Sequence, residues 1–473
     1  MNTVQRIAKN MAVLFVARVV SMLLGFFYVM YTARYLGPAN YGILSFALAL
    51  TGIFGVIANF GLDPLTVREV ARDKSLARKY LANGIVLKLL FGTLTFLIVS
   101  LVVNLLGYPE ITIKVVYIIT ISIIIGGINN LFSSIYQAFE RMEFMSIGQI
   151  LQSALFLAFA ITAIKLGLNV VHFAMIYLIV NLIVLGYHVV ITALKFLRLK
   201  IEVDLGFWKS VVREAWPFLG MNVAIMIYFR TDTIMLSKLV GDTAVGIYNA
   251  AYKIADLSLL VPSIGVSVVF PVFSRSFKNN LTYFKFLSNL LIKSACYIAL
   301  PMAIIVTLFS NKIILVIFGQ DYLNSISVLE ILIWTSAVKY VSMFQGNIMV
   351  VINKQKFTFK VTVIMAILNI ILNLVLISRY SYVGAAFATL ITEITGLTIG
   401  FVFMSRWGYN FDLPRLLIVA IATLIMTAIL VKITSNVFKA VLLIFIIYLV
   451  VVYLAGFTKE DIKILQEHLR LLA

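Results

Sequence analysis

A single cysteine, Cys296, leaves no disulfide framework possible within the chain. Histidine is almost as scarce: His172, His188 and His468 are scattered without metal-ligand spacing, so no metal centre is expected. Charge is low as well. Only 12% of the 473 residues are Asp, Glu, Lys or Arg, about half the share of a soluble domain. No P-loop, nucleophile elbow or pair of acid–base carboxylates in a soluble loop is present. The turns are too short for the extramembrane domain of a membrane glycosyltransferase. Without a nucleotide-binding domain on this chain, direct ATP-driven transport would need a partner. The chain is therefore expected not to be an enzyme, and no cofactor is implied.

What fills the chain is apolar: 62% of residues are hydrophobic and the mean hydropathy is +1.07. A bilayer core about 30 Å thick needs roughly 20 apolar residues per helical crossing, and such runs recur between short polar turns. The spacing predicts an all-α integral membrane protein of about fourteen transmembrane helices. They fall near 8–35, 40–62, 82–106, 112–138, 146–166, 170–197, 212–239, 243–272, 286–310, 324–351, 357–377, 382–405, 414–433 and 437–456. Arg6 and Lys9 precede the first run as in a signal peptide, but that run reaches about Tyr35, contains Arg18 and lacks a small-residue cleavage site. It reads as a retained helix. From Thr458 a capping-box start leads into Ile462, Leu465, Leu469 and Leu472, the stripe of an interfacial helix.

The net charge of +19 would suggest nucleic acid in a soluble protein. Here the basic residues alternate between turns, about 25 on one side and about 7 on the other. This is the positive-inside bias. It places both termini in the cytoplasm, predicts a multi-pass cytoplasmic-membrane protein, and removes the reason to expect a nucleic-acid partner.

The two halves resemble each other. Gly37 and Gly42 match Gly241 and Gly246, Pro64 and Arg68 match Pro271 and Arg275, and the stretch Ala138 to Phe144 matches Val351 to Phe357. The offset drifts from 204 to 213. An even number of helices per repeat makes the repeat parallel, with two lobes that rock about a central cavity. The expected division is an N-terminal six-helix lobe at 1–200, a C-terminal six-helix lobe at 201–410, two further transmembrane helices at 411–457 and a cytoplasmic interfacial tail at 458–473.

Ionisable residues inside membrane helices cost at least about 2.5–3.5 kcal/mol each and usually face a cavity or a partner. Arg18 shares a helical face with Ser21, Gly25, Tyr28 and Thr32; Arg230 shares one with Asn222, Met226, Thr233 and Ser237. Lys253 and Asp256 fall with Asn249, Ser263 and Ser267 on another, and as a pair three apart they could simply neutralise each other. Arg34 and Lys238 lie near helix ends, where snorkelling suffices, and Lys88 is read the same way. The set is mostly basic, which suits an anionic cargo and bidentate phosphate contacts. Arg18, Arg230, Lys339, Arg34 and Lys253 are the candidate cargo-binding residues, with Asp232, Asp256 and Glu393 as candidate coupling groups or charge partners. Pro217, Pro262, Pro271 and Pro301 mark kinks or hinges.

The run Ala33-Arg-Tyr-Leu-Gly-Pro-Ala-Asn-Tyr-Gly42 and the run Gly61-Leu-Asp-Pro-Leu-Thr-Val-Arg-Glu-Val-Ala-Arg-Asp73 resemble the N-terminal signature of Wzx-like polysaccharide biosynthesis flippases. These belong to the multidrug/oligosaccharidyl-lipid/polysaccharide (MOP) exporter superfamily. Val245 to Lys253, Gly319 to Tyr322, Asn369 with Asn373, and Gly384 to Thr389 extend the likeness over most of the chain, and Ser378 to Gly384 lacks the family's proline-containing turn. The resemblance implies a two-lobed transporter that flips polyprenyl-diphosphate-linked oligosaccharide to the outer face, with a cationic cavity for the diphosphate and sugars. Membrane lipids are the other expected partners, and glycosyltransferases or a polymerase of the same pathway would be natural neighbours. A cation-coupled drug or metabolite antiporter of the same architecture stays open, as does a non-transporting envelope-assembly scaffold. The antiporter should carry acids in its N-terminal lobe, whereas the first helix here has Arg18 and Arg34 and no carboxylate.

Overall fold

The computed structural model describes residues 3–197 and 203–411. The expected helices at 414–433 and 437–456 and the interfacial helix from Thr458 lie outside the described residues. Within them the chain is helical and contains no strand: α1 (Thr3–Asn59), α2 (Leu62–Arg72), α3 (Ala77–Leu105), α4 (Glu110–Ala138), α5 (Met142–Lys165), α6 (Val170–Lys195), α7 (Leu205–Leu239), α8 (Asp242–Ser258), α9 (Leu260–Asn279), α10 (Leu281–Ile317), α11 (Ser325–Val351) and α12 (Gln355–Arg406). Nine helical stretches among the described residues are long and apolar enough to cross a membrane.

Two of the helices, α1 and α12, contain a break. Gly37 (φ 69°) ends the first arm of α1 in the left-handed region and Pro38 opens the second, the ordinary division of labour between glycine after a helix and proline at its first turn. In α12 the break is Ser381 (φ 54°). A side chain on Gly384 would collide with the Leu376 carbonyl of the preceding arm, so the two arms return on each other tightly. The expected helices at 8–35 and 40–62, and at 357–377 and 382–405, correspond to these arms.

The long helix expected at 243–272 is divided at Leu259, and the cause is legible in the sequence. Pro262 has no N–H to offer the carbonyl of Ser258, four residues back. Tyr340 of α11 donates its hydroxyl to that carbonyl instead, at 2.6 Å. The Leu259 N–H bonds the Asp256 carbonyl rather than that of Ala255, and Ser336 of α11 donates to the freed Ala255 oxygen at 3.0 Å. The face on which Asp256 was aligned with Ser263 and Ser267 is therefore not continuous. Pro271 and Pro301 lie inside α9 and α10.

The connection after the second arm of α1 is also helical. Gly61 (φ 71°) turns the chain into α2, whose Leu62, Leu65, Thr66 and Val70 are buried.

The chain divides into two compact units, one up to Asn249 and one from Ala250. In the first, α1 packs on α3, α4, α5 and α7, and α4 packs on α3 and α6. Asn181 of α6 donates to Ser122 at 2.9 Å and accepts from Gln152 of α5 at 3.0 Å, bonds typical of helix association in lipid. In the second, α9, α10, α11 and α12 enclose Phe273, Phe284, Ile292, Tyr340 and Phe344.

Two of the repeated motifs have matching backbone geometry. Glu140 (φ 58°) follows α4 and Asn353 (φ 59°) follows α11, 213 positions later. Three backbone bonds recur at that offset: Phe139, Glu140 and Arg141 donate to Ile135, Gln137 and Tyr136, and Ile352, Asn353 and Lys354 donate to Ile348, Val350 and Met349. The other pair meets directly. A Cβ on Gly42 would strike the Asp242 carbonyl, and a Cβ on Gly246 would strike the Pro38 carbonyl, so the two equivalent turns pack backbone to backbone in reciprocal register.

Candidate functional site

The N-terminal unit holds Arg18, Arg34, Arg230 and Asp232. Arg18 is exposed, in a part of α1 where most side chains are open. Further along the face assigned to it, Tyr28 and Thr32 turn inward, and Tyr28 meets Phe156 of α5 and Tyr177 of α6 at centroid distances of 5.3 and 5.9 Å. The hydroxyls of Ser21, Tyr28 and Thr32 are buried, and the Tyr28 hydroxyl lies beside those of Thr32 and Tyr177. Arg34 is exposed.

Arg230 is half-buried on α7, and its charge acts on the Tyr41 hydroxyl. Asp232, two residues on, points elsewhere and is buried. Its carboxylate accepts from the Tyr248 hydroxyl of α8 and from the Thr233 N–H at 2.7 Å. The acid therefore ties α7 to the start of α8. Lys238 donates to the Leu106 carbonyl at the end of α3, at 2.7 Å.

The C-terminal unit holds Lys253, Asp256, Lys339 and Glu393. Lys339 is buried on α11, 3.6 Å from the Glu393 carboxylate of α12 and 5.9 Å from the centre of the Tyr252 ring. The residues assigned separately to cargo and to coupling are thus an ion pair. Lys253 is half-buried and Asp256 exposed, and no ion pair joins them.

One of the most completely enclosed cations among the described residues is one that sequence reasoning set aside. Lys88 of α3 does not snorkel. It is 1% exposed, and its ammonium donates to Asp63 at 2.5 Å, to Asn59 at 3.1 Å and to the Gly127 carbonyl at 2.6 Å. Three oxygens replace its hydration shell and one carries the compensating charge, which a buried ammonium requires. Gly127 is needed there, because a Cβ would press on the Asn59 amide oxygen at 2.8 Å. The available signal was Asp63, an acid in the first turn of a helix invisible to hydropathy.

On the basic side, α7 is clasped to α3. Asn83 accepts from the Asp204 N–H at 2.9 Å and from the Trp208 indole at 2.8 Å, while Lys79 pairs with Asp204 at 2.8 Å. Lys79 and the Phe207 N–H hold the Asp204 carboxyl below its usual range. Arg68 bridges Glu69 and Glu214.

The charges thus divide into two sets. Lys88 and Lys339 are neutralised by carboxylates, whereas Arg18, Arg230 and Lys253 have no carboxylate at ion-pair distance among the described residues. No group of three or more His, Cys, Asp or Glu among them could hold a metal ion.

The lipid II flippase MurJ in an inward closed conformation shares the fold with a TM-score of 0.75 at 18% identity, over 93% of this chain and 97% of that one. Residues 7–277 match the polysaccharide biosynthesis protein family, and the chain belongs to that family. Residues 217–375 also match the MatE family. The probable low-salt glycan biosynthesis flippase of Haloferax volcanii is 25% identical over 81% of this chain and 80% of its own length. The putative O-antigen transporter of Shigella flexneri is 26% identical over 75% of this chain and 87% of its own.

Proposed function

We propose that this protein flips a polyprenyl-diphosphate-linked oligosaccharide across the cytoplasmic membrane by alternating access, for surface polysaccharide or glycan biosynthesis. The observation that carries the chemistry is the unequal treatment of cations. Lys88 and Lys339, both buried, each have a carboxylate beside them. Arg18 and Arg230 are left without one, ready for an anion that arrives and leaves. A guanidinium offers a diphosphate two parallel donors, which an ammonium cannot. Lys253 supports the same charge, and Arg34 lies further along the helix that carries Arg18. Lys339 is held by Glu393, so it acts on cargo only if that pair parts.

In this reading the chain has fourteen transmembrane helices with both termini in the cytoplasm. The six-helix lobes at 1–200 and 201–410 are followed by two further helices at 411–457 and the interfacial tail at 458–473. It performs no covalent chemistry. The cargo is made and consumed by glycosyltransferases and a polymerase on either face of the membrane.

The test is a liposome assay with purified protein and a polyprenyl-diphosphate oligosaccharide, in which an outside-only lectin reports exposure. Exposure should depend on the protein and fall at least tenfold in Arg18→Ala and Arg230→Ala with insertion unchanged. Full flipping by both variants removes these residues from the mechanism. The MatE match over 217–375 supports a second reading, a cation-coupled antiporter. Uptake of a cationic dye driven by a sodium or proton gradient, with no lectin signal, would establish it instead.

A further inference from the structure

On the flank of the N-terminal unit, α3, α4 and α6 enclose an apolar cavity of about 570 Å³, within the usual range for a small-molecule site. Leu81, Ile85 and Leu89 of α3 form one wall, Ile128 and Val189 stand opposite, and Arg78 is the one charged side chain in the lining among the described residues. The groove opens sideways: Leu89 is 48% and Val189 37% exposed. Of the neighbouring cations of the α2–α3 region, Arg68 and Arg72 are held by Glu69 and Lys79 by Asp204, and Lys74 lies over the Phe139 ring. Arg78 is exposed and has no such partner among the described residues.

The depth of the groove limits its occupant. From Arg78 to Leu89 is eleven residues, or about 16 Å of helix, close to the roughly 15 Å of hydrocarbon in one leaflet. A chain lying in it with an anionic head at Arg78 belongs to the leaflet on the basic side. We propose that the groove is a binding site for an anionic glycerophospholipid of the cytoplasmic leaflet, with one acyl chain along α3 and the phosphate on Arg78. This depends on the placement of α3 in the membrane and not on the identity of the cargo.

Native mass spectrometry of the full chain, released from mixed phosphatidylglycerol and phosphatidylcholine micelles, tests it. The unaltered protein should retain phosphatidylglycerol in preference. Arg78→Gln should lower that preference about fivefold, the effect of one basic residue at a membrane surface, and Arg78→Lys should keep most of it. Ile85→Trp fills the groove and should abolish retention of both lipids, with Leu89→Trp as the second filling variant should Ile85→Trp not fold. An unchanged ratio in Arg78→Gln, or unchanged retention in a folded filling variant, overturns the assignment. So does displacement by a polyprenyl phosphate at lower concentration than phosphatidylglycerol, which would give the groove to the cargo's tail.

Discussion

Replacing Gly42 with alanine should drive apart the two repeated turns. The new methyl carbon would overlap the Asp242 carbonyl oxygen and lie 2.6 Å from its carbon and 3.0 Å from the Gly246 nitrogen. Each of these is a backbone atom, so none can rotate away as a side chain would. Overpacking of this kind costs about 1–3 kcal/mol. If the packed state bears that cost and the separated state does not, the ratio of separated to packed rises about five- to 150-fold. In the proposed orientation, with cytoplasmic termini, both turns lie on the outer face, where an impermeant reagent reaches them only when they part. Ala244, 5% exposed, supplies the reporter. In a Cys296→Ser background, Ala244→Cys should react slowly with an impermeant maleimide, and adding Gly42→Ala should speed the reaction by the factor above. Gly246→Ala should act alike, and the two together should give less than the product, since both strain one contact. Gly52→Ala is the control, because its methyl would meet nothing within 4 Å. Equal labelling of folded Gly42→Ala and control proteins refutes the reasoning.

Lys88→Met should destabilise the protein by about 3 kcal/mol, because it leaves Asp63 without its cation. Thermal unfolding in detergent measures this, and Asp63→Leu added to it should recover much of the loss. Tyr340→Phe strands the Ser258 carbonyl at the α8–α9 break and should cost about 0.6 kcal/mol, read by the same unfolding assay. The Asp204 carboxyl is held low by Lys79, so it binds its proton less readily folded than unfolded. Its contribution is therefore complete above about pH 4 and fades as the pH falls through the lowered value. Hydrogen exchange at Trp208 should quicken only in that acid range, and Asp204→Asn should remove the step.

Hydropathy located the helices because lipid imposes a length and an apolar composition on whatever crosses it. It missed α2, which lies between crossings and buries only one stripe. It also joined α8 to α9, since Leu259 is as apolar as its surroundings and only Pro262 betrays the lost donor. The glycines at 42 and 246 stood out in the sequence, and backbone contact at both leaves no room for a side chain. The turn at Glu140 and Asn353 was legible more faintly, through a match that kept the closing phenylalanine, Phe144 and Phe357. Helical patterning shows which charges lie within helices, but not what they meet. Helical spacing places residues on the same helix, as with Lys253 and Asp256, but Lys88 is answered from α1, α2 and α4, which no periodicity within α3 can reveal.

That arrangement bears on how the protein is made. Lys88 reaches the bilayer ahead of α4, and thus of the Gly127 carbonyl, which follows it in the chain. Its other two oxygens, on Asn59 and Asp63, precede it in the chain. The carboxylate is therefore already waiting when the ammonium arrives. The first stage of insertion can proceed with the charge compensated, and α4 closes around the finished pair. A chain carrying the acid on α4 instead would have to hold a bare cation in lipid until the next crossing was complete.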